Sequence, residues 1–140
     1  MKAIYIEEQG GVENMIYGDL PEPAPGPGEV LVRLYAAALN HLDLYARSGG
    51  NRVRVGPFPH ILGSDMAGEI VELGSDVDHL EVGQRVVIDY VIKCGTCTHC
   101  VIGHDELCQK VRDMGIHVAG GYAQYVKAPF QNVYAIPDSL

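Results

Sequence analysis

No run in this chain approaches the roughly 18 consecutive apolar residues that a membrane-spanning helix needs. The N-terminus, MKAIYIEEQG, carries one lysine followed by acidic residues where a secretory leader would be apolar. Positive charge is scarce: 10 Lys and Arg face 18 Asp and Glu, for a formal charge of −8. The acidic groups are spread along the chain, which argues against nucleic acid and against an anionic membrane as partners. There is no internal repeat, and no cysteine lies outside residues 94 to 108. Together these absences lead to the expectation of a soluble, cytoplasmic protein. Its 140 residues make one domain or one piece of a larger protein.

Turn formers are abundant. Gly 17 and Pro 8 favour many tight connections over long helices, so a β-rich fold is expected. Alternating or β-branched runs at 2–7, 29–34, 69–73, 84–92, 122–127 and 132–136 read as strands. Strands this short, separated by stretches such as PEPAPGPG (21–28) and GPFPH (56–60), suggest a small barrel or sandwich. One helix is expected at NHLDLYARSGG (40–50). Asn40 is a good N-cap with Asp43 three residues on, Gly49 and Gly50 stop the helix, and Leu39, Leu42, Tyr45 and Ala46 are expected to share its apolar face.

The four cysteines follow the pattern C-x2-C-x2-C-x7-C: Cys94, Cys97, Cys100 and Cys108. Two overlapping C-x2-C turns point sulfurs at a common centre, and zinc accepts four thiolates in a tetrahedron. Such a saturated shell leaves no place for water or substrate, so the expected role is to organise a loop. Disulfides suit neither the inferred compartment nor cysteines this close together. An iron–sulfur cluster would require the fourth cysteine after three residues with proline following, whereas here it comes after seven and precedes Gln109. His99 or His104 replacing one sulfur is a variant of the zinc reading.

With their surroundings, these motifs resemble the medium-chain dehydrogenase/reductase family, the zinc-type alcohol dehydrogenases and their quinone oxidoreductase relatives. PEPAPGPGEVLVRLYAAALNHLDLYARSGG (21–50) resembles that family's first long strand running into a short helix. HILGSDMAGEIVELGSDVDHLEVGQRVV (60–87) resembles its glycine-punctuated barrel strands, CGTCTHCVIGHDELC its structural-zinc lobe, and GGYAQYVKAPFQNVYAIPDSL (120–140) the strands that follow. The resemblance implies a mainly β, GroES-like barrel over residues 1–140, with a few short helices and a zinc lobe at about 93–112. It also implies NADP or NAD bound by a C-terminal Rossmann domain, a small-molecule substrate, and a homo-oligomer when full length. No G-x-G-x-x-G is present: Leu31 stands where the third glycine after Gly26 and Gly28 would be. The chain is therefore expected to be the N-terminal catalytic-domain segment of a longer enzyme, inactive alone.

Within the family, catalytic zinc takes a cysteine in a stretch like C-H-T-D-x-H and a histidine in G-H-E. Here Asn40 and Ser64 stand at those places, and the residues matching the family's proton relay are Leu42 and Tyr45. An amide and a hydroxyl are poor zinc ligands. The L-N-H-x-D-L and G-S-D-x-A-G patterns resemble instead the zinc-independent quinone and enoyl reductases. That branch implies Asn40, Tyr45, Ser64 and Asp65 as catalytic candidates, and His41 at a position that contacts the coenzyme pyrophosphate. Many members of that branch lack the cysteine lobe kept here. A zinc alcohol dehydrogenase and a non-enzymatic GroES-like interaction module are the alternatives. The plainer readings make Asn40 an N-cap, Ser64 and Asp65 turn residues, Tyr45 core, and His60, His79 and His117 loop or surface residues. A harder ion held by His41, Asp43, His60 and Asp65 is a further alternative.

Overall fold

The computed structural model describes residues 1–137, 139 and 140. Among these residues ten strands and two α-helices follow in order: β1 (Lys2–Ile6), β2 (Ile16–Asp19), β3 (Glu29–Ala38), α1 (His41–Ser48), β4 (His60–Ile61), β5 (Asp65–Leu73), β6 (Arg85–Ile88), β7 (Val91–Ile92), α2 (Thr98–Val101), β8 (Arg112–Asp113), β9 (Tyr125–Pro129) and β10 (Val133–Ala135). A five-stranded antiparallel sheet runs β10-β6-β5-β3-β9, beside a three-stranded sheet β2-β1-β4 and the small pair β7-β8. The mainly β expectation holds. Among the described residues no helix is long and apolar enough to cross a membrane.

The large sheet curls because β3 and β5 slip register twice, between Leu31 and Val32 and between Leu34 and Ala36. Each irregularity adds local twist and bends the strand. Gly68 sits opposite the second slip, where a β-carbon would collide with the Arg33 carbonyl. Inside the curl lie Val30, Val32, Met66, Ile70, Val86, Ile88, Val126 and Ala128. Burial of each such aliphatic side chain contributes about 1.5–3 kcal/mol. A second cluster, Ile6, Ala46, Leu62 and Ile116, clamps α1 against β1 and the segment after β4. That cluster brings the N-terminus of α1 beside Ser64 and Asp65.

Three expectations are corrected. The 84–92 run is two strands, because the Asp89 carboxylate accepts the Val91 N–H at 2.9 Å and turns the chain between β6 and β7. His60 is not a surface residue: it is 2% exposed, within β4 and paired with Ile6 of β1. On α1 the buried residues are Asp43 and Ala46, while Leu39 precedes the helix and is 85% exposed and Tyr45 is 38% exposed. Strands β2, β4 and β8 were unpredicted; they are two to four residues long, too short for periodicity to register.

Candidate functional site

The N-terminus of α1 forms the first cluster. Asn40 has extended backbone angles and caps the helix, and its N–H donates to the Asp43 carboxylate at 2.7 Å. Gly49, at φ 74°, ends the helix with its N–H on the Tyr45 carbonyl, as a left-handed C-cap does. The Asn40 side chain closes a capping box with Asp43, and its Nδ2 donates to Asp65 Oδ2 at 2.8 Å. Asp43 is 6% exposed, and the same Oδ2 that accepts the Asn40 N–H also accepts the Tyr122 hydroxyl at 2.7 Å. Burial, and then the Asp43 carboxylate, hold the Tyr122 phenol above the ordinary tyrosine range, so it remains a neutral donor.

Ser64 and Asp65 are presented by a turn that only glycine fits well. Gly63 has φ 97°, and a β-carbon there would lie 2.6 Å from the Tyr122 ring. Residues 120–122 zip onto 61–63 through Gly120 N–H to Ile61 O, Gly121 N–H to Gly63 O and Tyr122 N–H to Leu62 O, at 2.8, 2.8 and 3.0 Å. Ser64 is 3% exposed, whereas Asp65 and His41 are exposed.

Two small cavities flank Asn40 and His41. One, of about 270 Å³, is bounded by Leu42, Ser64, Asp65 and Tyr90. The other, also about 270 Å³, is walled by Met15, Leu39, Leu44, Leu62 and Tyr122. Four of the sequence candidates, Asn40, His41, Ser64 and Asp65, thus meet around one space. Tyr45 lines neither cavity; it packs beside Gly50. Tyr122, Tyr90 and Leu62 were missed. The one available signal was the tyrosine of GGYAQY, since a half-buried phenol needs a hydroxyl partner. A larger cleft, about 570 Å³, lies between β9 and the Leu20–Pro23 segment. It carries none of the candidate groups, so size alone does not make it a reaction site.

The cysteine lobe forms the second cluster. Its four sulfurs lie within 4.8 Å of one another, with Cys97–Cys100, Cys108–Cys94 and Cys94–Cys100 at 3.5, 3.6 and 3.9 Å. Tetrahedral zinc with Zn–S near ~2.3 Å places its sulfurs about 3.8 Å apart, so the arrangement fits that ion. Backbone N–H groups aim at the sulfurs: Cys97 to Cys94 at 3.4 Å and Cys94 to Cys108 at 3.5 Å. The N–H groups of Thr96 and Cys97 bring the Cys94 thiol down to about 6, and the Cys100 N–H lowers Cys97. Burial and the neighbouring thiols push Cys100 up to about 12. Four thiolates this close repel one another unless a cation sits among them. Lys93 fastens the lobe through Asp105 at 3.2 Å and Asp89 at 3.9 Å.

The α1 cluster does not fit a catalytic zinc. Asn40 and Ser64 offer no soft donor, the Asn40 amide is turned toward Asp65 as a hydrogen-bond donor, and Asp43 is occupied by Tyr122. Nor do His41, Asp43, His60 and Asp65 converge on a harder ion: among the described residues the four cysteines are the only such group.

Compared with known proteins, residues 26–138 match the alcohol dehydrogenase GroES-like domain. A NAD-dependent alcohol dehydrogenase of Sulfolobus acidocaldarius is 38% identical over 133 residues, covering 92% of this chain and 38% of the relative. A solved NAD-dependent alcohol dehydrogenase superposes with a TM-score of 0.93 at 42% identity, over 100% of this chain and 40% of that one. A cobalt- and zinc-bound thermostable alcohol dehydrogenase from Pyrobaculum aerophilum gives 0.90 at 36% identity, over 96% and 41%. The chain therefore spans about two fifths of the length of these relatives.

Proposed function

The chain belongs to the alcohol dehydrogenase GroES-like domain family, and from that premise we propose that it is the N-terminal catalytic part of a NAD(P)H-dependent oxidoreductase that reduces a quinone or an enone without a catalytic metal. The partners on this reading are a small-molecule substrate and a C-terminal Rossmann domain of the same polypeptide, which supplies the nicotinamide. Cys94, Cys97, Cys100 and Cys108 hold a structural zinc.

The observation that carries the reading is the Asn40–Asp65 hydrogen bond, 2.8 Å long, beside buried Ser64. Hydride arriving at the β-carbon of an enone drives an electron pair onto the carbonyl oxygen. That oxygen must be met by donors where no Lewis acid is present. A primary amide has two N–H groups; Asp65 orients Asn40 by taking one and leaves the other for the substrate oxygen. The Ser64 hydroxyl is a second donor bordering the same cavity; on this reading His41, exposed at that cavity, meets the coenzyme phosphate. Desolvation of the cavity strengthens each of these hydrogen bonds.

The alternative, a zinc alcohol dehydrogenase, is favoured by the likeness to relatives that bear that name. Metal content and substrate preference of the intact protein separate the two. About one zinc per chain with NADPH-dependent turnover of quinones or enones supports the proposal. Two zincs with NAD-dependent oxidation of alcohols would replace it.

A further inference from the structure

Tyr122 is held at both ends. Its backbone N–H bonds to Leu62 O at 3.0 Å, and the adjacent Gly121 N–H to Gly63 O at 2.8 Å, which fixes it to the segment that presents Ser64 and Asp65. Its ring lies over Gly63, filling the space a β-carbon would need. Its hydroxyl then reaches across to the other element of the site, donating to Asp43 Oδ2 at 2.7 Å. That oxygen also holds the Asn40 N–H, and the Asn40 amide returns to Asp65 at 2.8 Å. The contacts form a closed ring: the 61–65 segment, Tyr122, Asp43, Asn40, and back to Asp65.

We infer that Tyr122 is the positioning residue of this site: its hydroxyl fixes Asp43, and through Asp43 the orientation of the Asn40 amide toward the reacting oxygen. This assignment rests on the functional reading above. A carboxylate only 6% exposed is costly to leave short of a donor, so the Tyr122 hydroxyl decides how firmly Asp43 grips the helix cap. Small misplacements of a reacting group cost large factors in rate, and a locked rotamer prevents them. Tyr122 does not touch the reacting atoms on this account. With its hydroxyl committed to Asp43, it turns the ring to the second cavity, where Met15, Leu39, Leu44 and Leu62 complete an apolar wall. That space of about 270 Å³, which Arg47 and His41 also border, is below the ~300–1,000 Å³ typical of drug-sized ligands, so the substrate portion it takes is small.

The test is Tyr122→Phe, which keeps the ring on Gly63 and the fold. Hydrogen exchange reads the ring directly and needs no activity: the Asn40 backbone N–H, held by Asp43, should exchange about tenfold faster in the variant, as loss of one hydrogen bond to a charged group allows. Unchanged exchange overturns the positioning role whatever the protein catalyses. In the intact protein with NADPH and a quinone or enone, Tyr122→Phe should lower kcat about tenfold or more while leaving KM for NADPH unchanged. In an Asn40→Ala background the same substitution should have no further effect on kcat, because Tyr122 acts through Asn40. Additive losses, or an unaltered kcat in an active enzyme, overturn the positioning role while the functional reading stands. A wild-type protein that turns over only alcohols removes the functional reading, and the hydrogen-exchange result then judges the ring alone.

Discussion

The Tyr122 ring stands 2.6 Å from the point a β-carbon on Gly63 would occupy, and Gly63 holds φ at 97°. A side chain at residue 63 therefore meets two penalties at once, a left-handed backbone and a ring locked by its hydroxyl. Gly63→Ala should destabilise the protein by about 2–4 kcal/mol. Urea unfolding with an unchanged m-value checks this. A midpoint equal to wild type would mean that the ring moves aside freely and is no fixed part of the site.

The cysteine lobe should hold one zinc per chain, measured by elemental analysis of reduced protein. Cys108→Ser should lose that metal and raise hydrogen exchange across residues 94–112, while the curled sheet keeps its protection. Iron in place of zinc would overturn the zinc assignment, and full occupancy in the serine variant would show that Cys108 is not a ligand.

Asn40 and Ser64 should be what keeps a second metal out. Asn40→Cys combined with Ser64→His puts a thiolate and an imidazole beside the Asp65 carboxylate, a donor set that zinc accepts. Zinc content should rise from about one to about two per chain, and cobalt substitution should add a second set of thiolate-to-metal absorption bands. A folded double variant that still binds one metal would mean that these residues do not converge as described.

His60 should make stability fall in mild acid. Burial lowers its affinity for a proton below the usual histidine range, and its Nε2 is buried with no hydrogen-bond partner. Below about pH 6.5 the unfolded chain takes up a proton that the folded one refuses, so stability rises with pH there and levels off above it. The slope contributed is at most roughly 1.4 kcal/mol per pH unit. The polar groups near His60, His117 with Asp113 at 3.6 Å and Arg112 on the His117 carbonyl, are the same in wild type and in a His60→Gln variant. His60→Gln should flatten the dependence between pH 5 and 7.5 in urea titrations. Parallel wild-type and variant curves would assign the acid sensitivity to other groups.

Legibility followed the distance over which each feature is decided. The zinc lobe was readable because its four ligands lie within fifteen residues and local turns bring the sulfurs together. The helix at Asn40 was readable because its cap reaches only to Asp43 and its stop is Gly49. Strand existence followed β-branched runs, whereas the break at Asp89 came from a side chain bonding two residues on. Tyr45 was misjudged because helical spacing alone cannot tell which face a neighbouring cluster will cover; Asp43 is buried because Tyr122 arrives to satisfy it.

By itself the sequence determined a turn-rich, mainly β chain, a four-thiolate metal lobe and a capped short helix. Each rests on side-chain chemistry or on contacts a few residues apart. Only the tertiary structure decided that Asn40 meets Asp65 across 25 residues, that Tyr122 meets Asp43 across 79, and that His60 is sealed inside. Those pairings depend on the register of the curled sheet and on how the second core cluster seats α1. Such packing balances many weak contacts against chain entropy, and no local pattern encodes it.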